Sequence, residues 1–141
     1  MSKEIEVGFN IPRLRVLAME GTYWSDGWMT RDLKLSCETL GDISGLEISV
    51  WNPDSSVRYA GNVVSVICNQ KQWKTSELVM GERADLYIPI NLGEGESLDI
   101  GIISSSFMDA DVMDSRQRGV VVISIAAISG VPGENQVVNS L

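Results

Sequence analysis

Alternation of apolar and polar residues along short segments constrains the fold of this 141-residue chain more than any other feature. In a β-strand successive side chains point to opposite faces, so a period of two indicates one buried and one exposed face. Clear examples are Leu33, Leu35 and Cys37, and then Leu46, Ile48 and Val50. About eight such segments, spaced near a dozen residues apart, predict an antiparallel two-sheet β-sandwich with a jelly-roll-like arrangement and little helix.

Individual segments add detail to this prediction. Val63–Cys68 is apolar on both faces, which is typical of a central strand. Residues 70–74 indicate the turn and return of a hairpin, and Pro89 indicates an edge or end of a strand because proline cannot donate to a ladder. Residues 119–128 are predicted to be the longest and most apolar strand, and residues 107–113 are the one candidate for a helical turn.

Charge and hydropathy exclude several partners. The 11 basic and 19 acidic residues give a formal net charge of −8. Nucleic acids and anionic membrane surfaces both require a basic face, so neither is predicted as a partner. The first residues lack the apolar run of a secretory signal, and no segment approaches roughly 18 consecutive apolar residues. We therefore predict no membrane insertion and a cytoplasmic location, whereas a neutral sugar is compatible with this composition.

The chain contains no histidine, which removes Ser-His and Cys-His catalytic pairs and histidine ligands for zinc. A glycosidase could still use two carboxylates separated by roughly 5 to 9 Å, and Asp26 could be one of them. Nothing in the sequence selects the second carboxylate. The prediction is therefore a protein that is not an enzyme and that uses no cofactor.

Two further groups of side chains raise structural questions. Asp109, Asp111 and Asp114 place three carboxylates within six residues, a composition that suits Ca²⁺. The segment lacks the glycine and glutamate of a helix-loop-helix calcium loop, so no metal is predicted, although calcium binding stays open. Cys37 and Cys68 are predicted to be buried thiols, and a disulfide stays open if their strands are neighbours.

Two short motifs lie near opposite ends of the predicted sandwich. The first, residues 21–28 (GTYWSDGW), combines three aromatic residues with an Asp-Gly turn. The second, residues 114–120 (DSRQRGV), leads into the last predicted strand. In this second motif Asp114 is predicted to pair with Arg116 or Arg118 and to brace the loop.

Together, over residues 12–128, the motifs and the order of strands resemble a small β-sandwich domain attached to bacterial glycosyltransferases of capsule, O-antigen and exopolysaccharide assembly. That family usually has leucine where this chain has Arg118 before the closing Gly119-Val120. The resemblance implies a non-catalytic carbohydrate-binding-type module, with a glycan or polysaccharide as ligand and a possible glycosyltransferase domain as partner. A structural docking domain, or one that forms homo-oligomers without its own ligand, is the alternative.

Tryptophans and their polar neighbours are the candidate ligand-binding residues, because sugar C–H faces stack on aromatic rings. Each ring has a second possible role, which is to close the end of the core. Trp51 breaks the inward parity of Ile48 and Val50, so we expect it at the rim or on the outer face. The candidates for ligand binding are Trp24, Asp26, Trp28, Trp51, Gln72, Trp73 and Lys74, and the structural motif is Asp114, Arg116 and Gly119.

The sequence predicts one domain followed by a short tail. Residues 1–129 contain the alternating segments and are assigned to the sandwich. Residues 130–141 begin with Gly130, Pro132 and Gly133, which break strands, and are expected to be a flexible tail or a linker stub.

Overall fold

The computed structural model describes residues 11–53, 61–108, 112 and 114–129, and these form an all-β structure. Eight strands and no helix are present in this part of the chain, which confirms the predicted antiparallel β-sandwich. The strands are β1 (Leu14–Glu20), β2 (Asp32–Thr39), β3 (Ile43–Trp51), β4 (Val64–Cys68), β5 (Lys71–Lys74), β6 (Arg83–Leu92), β7 (Ser97–Ser104) and β8 (Val121–Ile128).

The strands are divided between a five-stranded and a three-stranded sheet. The first has the order β1-β2-β7-β4-β5 and the second has the order β6-β3-β8, with antiparallel pairing throughout. The chain changes sheet after β2, β3, β5, β6 and β7. Most neighbouring strands are therefore distant in sequence, as in a jelly-roll-like arrangement, and the sites on each sheet combine remote residues.

The core lies between the two sheets and follows the alternation of the sequence. Leu35 and Ile100 of the five-stranded sheet and Ile48 and Ile88 of the three-stranded sheet are fully buried in one apolar cluster. Burying a side chain of this size stabilises a fold by about 1.5–3 kcal/mol. The inward faces predicted for β2 and β3 are confirmed, since all six residues named for them are buried.

Several local predictions are also confirmed. β4 lies between β7 and β5, and the β4–β5 hairpin turns at residues 69–70. Pro89 lies in β6, which is an edge strand. Cys37 and Cys68 are free, buried thiols, and burial raises the pKa of Cys37 to about 11 and of Cys68 to about 12.

The prediction for the final strand was wrong in two respects. β8 begins at Val121 and has eight residues, whereas β6 is longer with ten. The strand starts late because Gly119 and Val120 hydrogen-bond to the backbone of Met29 in the β1–β2 connection instead of pairing with β3. β8 is an edge strand of its sheet, and its Ile123 is 39% exposed.

Other predictions fall partly or wholly on residues outside those described. Of the segment proposed as a helical turn, Met108 forms an extended bridge with Arg118, while residues 109–111 and 113 are not among the described residues. The possible calcium ligands Asp109 and Asp111, and the tail at 130–141, also lie outside them. Within the described ranges, no helix is long and apolar enough to cross a membrane.

Candidate functional site

The fold brings the two sequence motifs into direct contact. The connection between β1 and β2 runs beside the start of β8, where the amide of Val122 donates to the carbonyl of Gly27 at 2.8 Å. On the same connection, Gly119 donates to the carbonyl of Met29 at 2.7 Å, and Met29 donates to Val120 at 3.1 Å. The hydroxyl of buried Tyr23 donates to the carbonyl of Val122 at 2.7 Å. The aromatic motif therefore extends the three-stranded sheet beyond β8.

Side chains join the motifs through Asp26, Asp114 and Arg116, which we call the arginine clasp. Arg116 Nε and Nη2 donate to Asp114 Oδ1 and Oδ2 at 2.8 and 2.7 Å, a bidentate pair. The guanidinium also lies 3.1 Å from Asp26 Oδ1 through Nη1 and 2.9 Å from Oδ2 through Nη2. Hydrogen bonds from Arg116 lower the pKa of both carboxyl groups, so the clasp is ionised at neutral pH.

Both tryptophans of the first motif contact arginines of the second. The guanidinium of Arg116 lies 4.9 Å from the ring centroid of Trp24, and that of Arg118 lies 5.8 Å from the ring of Trp28. Both rings are half-buried. Cations at these distances are attracted by an aromatic face. Each ring therefore already has a stacking partner within the protein. These contacts hold the β1–β2 connection against the segment that precedes β8.

Trp51 lies at the end of β3 and faces outward, in agreement with its expected parity. It is 38% exposed, and its Nε1 donates to the carbonyl of Gly81 at 3.3 Å. Trp51 pairs with Val121, which in turn forms a bridge with Trp28. Trp51 and Trp28 are thus two strands apart, or roughly 9–10 Å between backbones.

The structure divides Gln72, Trp73 and Lys74 between the two faces of β5. Trp73 is opposite Val66, whose side chain is buried, and the Trp73 ring is half-buried against the core. Gln72 and Lys74 belong to the opposite face because side chains alternate along β5. The structure therefore separates the ring from both polar neighbours and places Trp73 in a packing role.

A groove with a volume of about 960 Å³ lies on the outer face of the five-stranded sheet, where the sequence predicted no site. Its centre is Gly101 of β7, which pairs with Lys34 on one side and Ile67 on the other. A β-carbon added to Gly101 would contact only Ile67, at 3.7–3.8 Å, and would otherwise project into open space. Because Gly101 has no side chain, its backbone forms the floor of the groove.

Polar side chains surround this floor. The charged members are Glu20, Arg31, Asp32, Lys34 and Asp99. The amide groups belong to Asn69, Gln70 and Gln117.

The groove runs along β7 from the second motif to the β4–β5 turn. Asp99, Gly101 and Ile103 share the outward face of this strand, and the four steps from Asp99 to Ile103 span roughly 13 Å. Gln117 lines the groove at one end, and the turn residues Asn69 and Gln70 line it near Asp99 at the other.

The arginine clasp supports one end of the groove. Gln117 lies between Arg116 and Arg118, whose side chains contact the first motif. At Gly119, an added β-carbon would come within 3.0 Å of Arg31 Cα and 3.1 Å of the carbonyl of Thr30, which both line the groove. Glycine thus permits the close approach that brings Gln117 to residues 30–32. The sequence signal for this site was the isolated glycine within an alternating strand, which often marks close approach of a ligand or backbone.

Comparison with known proteins supplies no identity, since no protein-family description and no curated protein matches this sequence. Among the residues that the structure describes, no group of three or more histidine, cysteine, aspartate or glutamate side chains is arranged to hold a metal ion. The geometry of the groove and the clasp is therefore the basis for a functional proposal.

Proposed function

We propose that this chain is a non-catalytic carbohydrate-binding module that holds a glycan in the groove over Gly101. The observation that carries the proposal is a groove of about 960 Å³ in which hydrogen-bonding side chains surround an open glycine floor. This volume is within the range of typical ligand sites. On the resemblance described above, the module would be accessory to a glycosyltransferase of cell-surface polysaccharide assembly.

The chemistry of the groove suits a neutral sugar. Carboxylates accept, amides both donate and accept, and cationic groups donate, so adjacent hydroxyls of a pyranose can be matched. Ile67 and Ile103 provide apolar surface for sugar C–H groups. The charges have both signs: three carboxylates and two cationic groups line the groove. This mixture favours an uncharged glycan over a polyanion or a polycation.

The groove carboxylates are assigned to ligand binding in this proposal. Asp32 forms an ion pair with Arg31 at 3.4 Å, and its carboxylate oxygens are acceptors for sugar hydroxyls. An open site of this kind buries limited area and must order several side chains. Dissociation constants of about 0.1–1 mM are therefore expected, equivalent to about 4–5.5 kcal/mol.

The test is a glycan-array screen followed by calorimetric titration of the best oligosaccharide. Gly101→Leu should abolish binding, because the new side chain would occupy the floor of the groove. Gly41→Leu is the matched control, since a β-carbon at Gly41 would meet nothing within 4 Å and Gly41 does not line the groove. Equal affinity of the Gly101→Leu variant and the wild type would place the binding site elsewhere, and no binding to any glycan would reject the proposal.

A docking or oligomerisation domain is the second candidate, and a feature of the three-stranded sheet favours it. The ring of Tyr87 covers Gly45 on the outer face, and Tyr87 and Trp51 are 49% and 38% exposed. Exposed aromatic residues are enriched at protein interfaces. Light scattering after size exclusion measures this directly: a dimer in the wild type that Trp51→Glu dissociates would support the docking function.

A further inference from the structure

The β4–β5 turn at the end of the groove has an unusual residue at its second position. Two residues, Asn69 and Gln70, connect the strands, with φ angles of 46° and 75°. Positive φ at both central residues defines the type I′ turn, for which Asn-Gly is the preferred sequence. Asparagine at position 69 follows this preference. Gln70 does not follow it, because a β-carbon carries a steric penalty in the left-handed region and glycine has no β-carbon.

The contacts of the two turn residues differ. The side chain of Asn69 accepts from the amide of Asp99 at 2.9 Å and donates to the carbonyl of Ser97 at 3.3 Å, which fastens the turn to β7. Gln70 is exposed and lines the groove. Within the described part of the chain, its side-chain amide makes no hydrogen bond and so does not offset the unfavourable backbone conformation.

We infer that Gln70 is a ligand-binding residue of the groove and that its side-chain amide hydrogen-bonds to the glycan. This contact explains why the position is occupied by glutamine and not by the preferred glycine. Residues in sparsely populated backbone regions cluster at ligand sites, where the surrounding structure maintains them. The amide of Gln70 lies at the Asp99 end of the groove and offers both a donor and an acceptor, which matches two adjacent sugar hydroxyls. This inference rests on the proposed function, because it assigns a contact for the same ligand.

Two variants of Gln70 separate the turn from the ligand contact. Gln70→Gly produces the preferred Asn-Gly turn, so the urea midpoint of unfolding should rise while affinity for the glycan falls about three- to tenfold, the effect of one lost hydrogen bond. Gln70→Ala should lose the same affinity without the rise in midpoint, because alanine keeps the β-carbon. Asn91→Ala is the control, since this exposed amide is on β6 of the three-stranded sheet and does not line the groove.

The binding results distinguish the role of Gln70 from the proposed glycan-binding function of the groove. If the wild type binds a glycan and Gly101→Leu does not, but both Gln70 variants bind with wild-type affinity, the inference is overturned while the proposed function stands. An unchanged urea midpoint in Gln70→Gly would show that the turn is unstrained. It would then remove the physical basis of the inference about Gln70. If the wild type binds no glycan, or Gly101→Leu binds normally, the proposed groove site and the role of Gln70 are both rejected.

Discussion

Asn62 provides a test of whether a buried hydrogen-bond network stabilises this fold. Its side chain is fully buried. Its Nδ2 donates to Ser104 Oγ at 2.7 Å and lies 3.5 Å from the carbonyl of Gly119, while its Oδ1 accepts from the amide of Ser106 at 3.3 Å. Asn62 thus joins the start of β4 to the end of β7 and to the second motif.

The cost of Asn62→Ala follows from these contacts. A typical hydrogen bond contributes about 0.5–1.5 kcal/mol, and a buried polar group left without a partner costs about 1–3 kcal/mol. Ser104 Oγ keeps one bond, to the carbonyl of Ser106 at 2.6 Å, so its hydroxyl is not wholly orphaned. The amide of Ser106 loses an acceptor in a part-buried environment. We therefore expect a loss of about 2–4 kcal/mol, a large share of the usual 5–15 kcal/mol for a domain.

Urea unfolding followed by tryptophan fluorescence measures this loss in the free energy of unfolding. Asn91→Ala, at an exposed position of β6, is the matched control and should change the free energy by less than about 0.5 kcal/mol. A loss below about 1 kcal/mol in Asn62→Ala, at an unchanged denaturant slope, would refute the network as a source of stability.

Two predictions concern pH and thiol reactivity. Because the pKa values of Asp26 and Asp114 are lowered in the folded protein, their contribution to stability is present above the unfolded value near 4 and is lost as pH falls below it. Arg116→Ala should flatten this acid dependence in urea midpoints measured from pH 7 to 3, and an equally steep fall would contradict it. Cys37 and Cys68 should resist a thiol reagent in the native state at pH 8, and stability should decline above pH 9 because burial raises their pKa values to about 11 and 12. Rapid labelling of the native protein would be inconsistent with their burial.

The features that sequence reasoning predicted correctly are local ones. The inward faces of β2 and β3 follow from a period of two, which each strand carries in its own residues. The position of Pro89 on an edge strand follows from its missing amide donor. Trp73 follows the same rule. Alternation along a hairpin strand opposite Val66 turns its ring inward and its polar neighbours outward.

The groove was not predictable because it depends on which strands are neighbours. Its floor and sides come from β2, β7 and β4, which are adjacent in the sheet and far apart in the chain. Gly101 was visible as an interruption in an alternating strand. The strand register places Gly101 between Lys34 and Ile67, and this pairing puts the glycine at the centre of a groove.

The sequence by itself determined the strands, their inward faces and the chemistry of two motifs, because these depend on residues close together in the chain. The tertiary structure decided that Asp26 and Arg116, separated by 90 residues, form one clasp. It also decided that Trp24 and Trp28 stack on arginines of the protein. The physical reason is that long-range backbone pairing sets which remote side chains meet, and no spacing within a single segment encodes that register.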